Sequence, residues 1–101
     1  SLSFTSYMEG MADSRQIDAH GSINHILINI AAELSAAEEK WPEWPENYFQ
    51  QAFIVSEECG EAVRAVNEYH NDPTQNRYKD IINELTQTAA MCVRMIKNLE
   101  P

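Results

Sequence analysis

Basic residues are scarce in this sequence: seven lysines and arginines stand against sixteen aspartates and glutamates, which gives a formal net charge of −9. A surface this acidic repels the backbone of nucleic acids and anionic membrane surfaces. No basic stripe interleaved with aromatic residues is present either. Direct binding to DNA or RNA is therefore excluded. A polyanionic small molecule can still bind where metal ions lie between it and the protein.

Long hydrophobic runs and cysteines are also few. No apolar run approaches the ~20 residues of a transmembrane helix, and no basic segment precedes an apolar core as in a secretory signal. Cys59 and Cys92 have neither the density of a disulfide scaffold nor the spacing of a zinc site. Each lies on an apolar helical stripe, where a reduced cysteine behaves as a small hydrophobic residue. We therefore expect a single small cytoplasmic domain without a membrane partner.

Alternating strand patterns are absent from the chain, and three helical patterns take their place. Residues 1–21 lack periodicity and are predicted to be a leader segment before a helical domain at 22–101. Ser22 is suited to N-cap the first helix, which should end at the proline-containing turn 41–45. Its apolar stripe consists of Ile23, Ile26, Leu27, Ile30, Leu34, Ala37 and Trp41, and its opposite face carries Glu33, Glu38 and Glu39.

The second and third helices are each about 25 residues long by prediction, roughly twice the usual length. The second runs from about Glu46 to about Tyr69, and Asp72 with Gln75 forms a capping box that opens the third. Gly60 costs the second helix about 1 kcal/mol relative to alanine, so we expect another helix to approach closely there. The predicted stripes are Ala52, Ser56, Cys59, Val63 and Val66, flanked by Phe49 and Phe53, and then Tyr78, Ile81, Ile82, Leu85, Ala89, Cys92, Ile96 and Leu99.

Three amphipathic helices of this length leave at least one apolar face without a partner. A four-helix bundle is the economical way to bury such faces, and this chain is one helix short of it. The sequence therefore predicts an all-α protein whose long-helix hairpin completes a four-helix bundle through oligomerisation.

Three glutamates, Glu57, Glu58 and Glu61, crowd the middle of the second helix. Residues three and four apart share a helix face, where like charges cost a few tenths of a kcal/mol per pair. A hard cation such as Mg²⁺, Mn²⁺ or Ca²⁺ would turn this cost into a benefit, and a solvated acidic face is the alternative. In an antiparallel hairpin, Glu84 and Gln87 of the third helix come to lie opposite this cluster. That second cluster favours a metal site.

These two clusters together resemble a known family, the MazG-like all-α nucleoside triphosphate pyrophosphohydrolases. The family pattern is Glu-Glu-x-x-Glu on one helix and Glu-x-x-Asp on the next; this chain has Glu57-Glu58-Cys59-Gly60-Glu61 and Glu84-Leu85-Thr86-Gln87. The resemblance covers roughly residues 23–99. It implies Mg²⁺-dependent hydrolysis, with Mn²⁺ as a substitute, of a nucleoside triphosphate to the monophosphate and pyrophosphate, as a house-cleaning activity on nucleotide pools. Homodimers and homotetramers are both compatible with it.

The resemblance also implies the roles of individual residues. Glu58, Glu61 and Glu84 match the direct metal ligands, and Glu57 matches a further ligand or the base that accepts the proton of the attacking water. Gln87 stands where the family has aspartate, and its neutral carbonyl oxygen is a weaker ligand for Mg²⁺. The alternative is therefore a non-catalytic regulator that binds nucleotide or metal on the same fold. A third hypothesis is a plain helical dimerisation module whose glutamates are surface residues.

Positive and aromatic side chains near the predicted site are candidates for substrate binding. The cations could assist with the phosphates, and the two tryptophans could stack on a base. Ordinary surface charge is the alternative for each cation, and capping of the bundle core is the alternative for the tryptophans. The candidates are Lys40, Trp41, Trp44, Arg77 and Lys79.

Overall fold

The structure, a computed structural model, describes residues 22–101, which form three α-helices and no strand. Helix α1 spans Ile23–Lys40, α2 spans Tyr48–Asn71 and α3 spans Gln75–Leu99. The prediction of an all-α chain is confirmed for this range, and the prediction of a leader segment at 1–21 lies outside the described residues. No helix in the described range is long and apolar enough to cross a membrane.

The first two helices each begin at a residue whose side chain caps them. The hydroxyl of Ser22 accepts a hydrogen bond from the backbone N–H of His25 at 3.2 Å, so α1 begins where predicted. Helix α2 begins two residues later than predicted. The side-chain oxygen of Asn47 accepts from the N–H groups of Phe49 and Gln50, which makes it the N-cap residue.

The predicted capping box of α3 is wrong. The hydroxyl of Thr74, rather than a carboxylate of Asp72, caps the helix by accepting from the N–H of Arg77 at 3.2 Å. Helix α2 continues through Asn71, so Asp72 closes that helix instead. Its backbone N–H donates to the carbonyl of Glu68 at 2.9 Å.

Helix α3 is the central element because it packs against both other helices, while α1 and α2 make no close backbone approach to each other. Helices α2 and α3 form the predicted hairpin. Leu34 of α1 with Ala90 and Met91 of α3 forms the buried core. Leu34 and Met91 are still 9% exposed, and Ala90 alone among these three is fully buried. The core of the described chain is therefore small.

The predicted apolar stripes of α2 and α3 lie on the outside of the protomer. The large side chains of these stripes are between 49% and 69% exposed, except for that of Ile81, which is half-buried. The face of α2 that turns inward carries Gln51, Ala62 and Ala65 instead. A methyl group added at Gly60 would meet nothing within 4 Å, so the close helix approach predicted there does not occur within the protomer. The outward stripe is Phe49, Phe53, Val63 and Val66 on α2 and Tyr78, Ile82, Leu85, Ile96 and Leu99 on α3.

Candidate metal centre and adjoining cavity

Glu58 and Glu61 of α2 meet Glu84 of α3 at the middle of the hairpin. One carboxylate oxygen from each residue lies within 4.8 Å of the others. Two oxygens bound to one ion lie at most about 4.2 Å apart for Mg²⁺ and about 5 Å apart for Ca²⁺, so these three oxygens can share one ion once their side chains draw slightly closer. The structure therefore brings together the three carboxylates that the sequence predicts as metal ligands.

Two oxygens of this cluster are shielded from solvent without a hydrogen-bond partner. They are one oxygen of Glu58 and one oxygen of Glu84. A buried acceptor without a partner carries a desolvation cost of about 1–3 kcal/mol, and more when the group is charged. A cation bound between the carboxylates would remove this cost, and so would a proton. The donor set thus fits a hard divalent ion in both composition and spacing.

The electrostatics of the cluster favour uptake of positive charge. Burial is the largest cause that raises the pKa of Glu58, and the charges of Glu61, Glu84, Glu57 and Glu33 raise it further. Burial also raises the pKa of Glu84, followed by the charge of Glu61 and a hydrogen bond between these two carboxyl groups. The folded protein therefore holds protons here more tightly than a free glutamate does. A divalent ion competes for the same oxygens.

Glu57 and Gln87 lie next to these three carboxylates. Glu57 is exposed on α2 and acts on Glu58 through its charge. Gln87 is half-buried on α3 and lines a cavity together with Glu58. Asp80, one turn before Glu84, is exposed and contributes its charge to the raised pKa of that residue.

A cavity of about 420 Å³ adjoins the acidic cluster. Its size falls within the range of pockets that bind small molecules, about 300–1,000 Å³. All three helices and the turn between α1 and α2 contribute to its walls. Its charged and aromatic side chains are the acidic Glu33, Glu43 and Glu58, the basic Lys40 and Arg94, and the aromatic Trp41 and Trp44.

Glu33 reaches this cavity from α1, and the prediction that it lies opposite the core is wrong. The later part of the predicted stripe of α1 does face the core, whereas Ile26 and Leu27 near its start are 46% and 54% exposed and Glu33 is half-buried. Neighbouring Leu34 and, one turn later, Ala37 face the core. The clue in the sequence is spacing, since Glu33 lies three residues after Ile30 and four before Ala37, both of which pack against the core.

Arg94 of α3 is the second residue of the cavity that the sequence reading missed. Its side chain is only 4% exposed. Its Nη2 donates a hydrogen bond to the carbonyl oxygen of Trp41 at 2.6 Å, and its guanidinium carbon lies 4.6 Å from the ring centre of Trp44. The available clue is the spacing of three and four residues along one face of α3, which reads Glu84, Gln87, Met91 and Arg94.

The two tryptophans of the cavity occupy different environments. Trp41 is 64% exposed, and the Nζ atom of Lys40 lies 5.6 Å from its ring centre. Such a contact at an exposed site contributes about 0.5–1 kcal/mol, less than the ~1–3 kcal/mol of a base stacked on an aromatic ring. Trp44 is half-buried and packs against the core. Trp41 can therefore exchange its lysine contact for a base, whereas Trp44 is already covered.

Arg77 and Lys79 lie away from the cavity. Arg77 forms ion pairs with Glu68 and Asp72, both at 3.3 Å, next to the turn of the hairpin. Lys79 is exposed on α3. Neither residue lines the cavity. The structure thus brings the other three predicted substrate-binding residues to the cavity and leaves these two cations outside it.

An acidic cluster beside an aromatic cavity suits, once a cation is bound, a ligand that has a polyanionic part and a flat, partly apolar part. Carboxylates that hold a divalent ion bind phosphates through that ion, and an exposed indole offers a face for stacking. Comparison of the chain with models of protein families, with curated proteins and with solved structures gives no match.

Proposed function

We propose that this chain is a Mg²⁺-dependent nucleoside triphosphate pyrophosphohydrolase of the MazG-like type, which releases a nucleoside monophosphate and pyrophosphate. The observation that carries the proposal is the approach of three carboxylates within 4.8 Å of one another, beside a cavity of about 420 Å³. Bound Mg²⁺ would neutralise phosphate oxygens and lower the pKa of a bound water. Such a reaction needs positioning and charge neutralisation more than covalent help from the protein.

The proposed site has an acidic end, which would bind the phosphates through the ion, and an organic end, which would bind the nucleoside. At the acidic end, Glu58, Glu61 and Glu84 hold the ion. The exposed Glu57 beside them is placed to accept a proton from the attacking water. Lys40 and Trp41 line the cavity at the organic end, where the Nζ atom of Lys40 lies 5.6 Å from the centre of the Trp41 ring.

Pyrophosphate release from a panel of ribo- and deoxynucleoside triphosphates tests this proposal. We expect release that requires Mg²⁺ and stops in excess chelator. Glu58→Gln should abolish it, whereas the matched control Glu39→Gln, exposed on α1 outside the cavity, should not change it. An inactive wild-type protein across the whole panel would contradict the proposal.

A second candidate is a regulator that binds nucleotide and metal without cleavage. Gln87 favours it, because this amide lines the cavity beside Glu58 where a further carboxylate would strengthen a metal site. Calorimetric titration of the same nucleotides in Mg²⁺ separates the two candidates. Binding without pyrophosphate release selects the regulator, and absence of any metal effect selects a plain dimerisation module.

We also infer that protomers associate through the outward stripe of α2 and α3. That stripe exposes nine large apolar side chains, while the protomer's own core centres on Leu34, Ala90 and Met91. Pairing two hairpins along this stripe would complete a four-helix bundle. Sedimentation at micromolar concentration should give a dimer or tetramer, and a species near 11.5 kDa would contradict the inference.

A further inference from the structure

The turn between α1 and α2 is tied to α3 by one buried side chain. Arg94 donates from Nη2 to the carbonyl oxygen of Trp41 at 2.6 Å and places its guanidinium over the ring of Trp44 at 4.6 Å. A planar guanidinium can donate in its own plane and stack through its face at the same time. A lysine ammonium lacks that flat face, and an aliphatic side chain lacks the donor. The geometry therefore uses properties that arginine alone combines.

The burial of this charge needs an explanation. Arg94 is 4% exposed, and none of the ion pairs formed within residues 22–101 includes it. Burying a charge without an ionic partner is unfavourable unless its hydrogen bonds are satisfied. Arg94 also lines the cavity that adjoins the acidic cluster. Its position at the junction of turn, core and cavity points to a role in shaping the cavity.

Arg94 contacts both tryptophans, but only one of them keeps an exposed ring. Trp44 has the guanidinium over its ring and packs against the core, so its ring is occupied by the protein itself. Trp41 is held through its backbone carbonyl, which leaves its ring 64% exposed at the cavity. Arg94 thus fixes the backbone of Trp41 without covering its side chain.

Helix α3 sets the distance between this aromatic turn and the acidic cluster. Glu84 and Arg94 are ten residues apart on one helix, a rise of about 15 Å. A straight helix holds that separation constant, and it is comparable with the extended length of a nucleoside monophosphate. A ligand whose phosphates bind at Glu84 would thus present its base near the turn.

We propose that Arg94 is a positioning residue of this pocket, which anchors the turn through Trp44 so that the ring of Trp41 is the stacking platform for the base. The inference rests on the proposed nucleotide-binding function and assigns its base subsite. Trp44 belongs to the anchor and makes no stacking contact with the ligand.

Single-tryptophan variants test this division directly, since the chain has two tryptophans. The probes are α,β-methylene analogues of the nucleoside triphosphates, which cannot be cleaved to pyrophosphate, titrated in Mg²⁺. In Trp44→Phe, the emission of Trp41 should be quenched on binding. In Trp41→Phe, the emission of Trp44 should stay unchanged. Inorganic triphosphate, which lacks a base, should compete with the analogues without quenching Trp41.

Steady-state kinetics supply the second test. Trp41→Ala should raise KM roughly 5- to 150-fold, the range that corresponds to loss of one stacked base. Arg94→Met should raise KM roughly tenfold by the loss of a charged hydrogen bond, with kcat close to that of the wild type because the metal ligands are untouched. Arg94→Lys keeps the charge and a donor and should recover part of the loss. Circular dichroism of each variant establishes that it is folded.

The outcomes separate this inference from the function on which it rests. If the wild type releases pyrophosphate but Trp41 emission does not respond, the positioning inference fails and the function stands. Quenching of Trp44 alone also overturns it. So does a loss of kcat without a rise in KM in Arg94→Met, or an Arg94→Lys variant that recovers none of the loss. If neither release nor any change in emission occurs, both fail.

Discussion

At the scale of single residues, the acidic cluster couples protonation to stability, and the proposed metal binding depends on the same carboxylates. The pKa values of Glu58 and Glu84 are raised, first by burial and then by neighbouring charge. The folded chain therefore binds more protons than the unfolded chain in the window that starts near the ordinary glutamate pKa of about 4.3. Stability from these groups is full below that window and is lost as the pH rises through the raised pKa values.

Glu61→Gln tests this coupling through its effect on stability and on hydrolysis. Glu61 is the largest charge acting on both Glu58 and Glu84, so its neutralisation relieves repulsion in the metal-free protein. In chelator at about pH 7 we expect stability equal to the wild type or higher by a few tenths of a kcal/mol, with no gain near pH 4, where the raised pKa values keep Glu58 and Glu84 largely protonated. Hydrolysis should be abolished.

Thermal melts at the two pH values, with and without Mg²⁺, check this prediction. Glu39→Gln, exposed on α1, removes an equal charge outside the cluster and serves as the control. A variant that melts far below the wild type in chelator would make Glu61 a structural residue and would contradict the metal site.

Gln87→Asp probes the one departure from the family pattern. The change adds a charged oxygen beside Glu58 but shortens the side chain by one methylene. In a working site we expect activity to saturate at lower Mg²⁺, and in a regulator we expect cleavage to become detectable. A Mg²⁺ titration of activity and melting temperature measures both. An unchanged midpoint with a loss of only a few tenths of a kcal/mol would remove Gln87 from the site.

At the scale of elements, the hairpin was predictable and its surroundings were less so. Apolar spacing and the short turn were enough to place Glu58 and Glu84 opposite each other. The extent to which α1 buries its apolar face was not predictable, because an amphipathic pattern does not tell which part of a broad apolar face the other helices cover. Ile26 and Leu27 are exposed for this reason, while Glu33 reaches the cavity.

Buried polar side chains were the other gap in the prediction. Gln51 is 3% exposed, and its Nε2 donates to the carbonyl oxygen of Pro45 at 2.9 Å. Arg94 finds its acceptor 53 positions away in the sequence, at Trp41. The acceptors are backbone carbonyls of a non-helical turn, which carry no signature of their own in the sequence. Their partners become visible only once the fold places them.

Gly60→Ala distinguishes an open helix face from an interface. Within the protomer the added methyl group meets nothing within 4 Å, so helix propensity alone should stabilise α2 by about 1 kcal/mol. If a second copy packs against the outward stripe, that gain should shrink or reverse at high protein concentration. Denaturant unfolding at two concentrations measures it.

A matched substitution provides the control for Gly60→Ala. Ser35→Ala is an exposed change on α1, away from the stripe, and its effect should not depend on concentration. A full gain for Gly60→Ala at both concentrations would place Gly60 outside any interface.

At the scale of the whole molecule, stability should depend on protein concentration. Association through the outward stripe would supply burial that the small core lacks, so dilution should lower the melting temperature by roughly 3 °C or more per tenfold. Ile96→Glu, on the stripe but far along α3 from the acidic cluster, should abolish this dependence. A wild-type melting temperature independent of concentration would contradict association.

The placement of the metal ligands has a consequence for the order of folding. Glu61 and Glu84 lie on either side of the turn at 72–74, within one hairpin. Closing so short a stretch of chain costs little entropy, and topologies of low contact order fold fast. These carboxylates, the proposed ion ligands, can therefore meet before α1 docks and before the proposed association of two chains. Ion binding at this stage would add directly to the folding free energy. Mg²⁺ would then stabilise the hairpin first, and the turn that carries the tryptophans would pack onto it later.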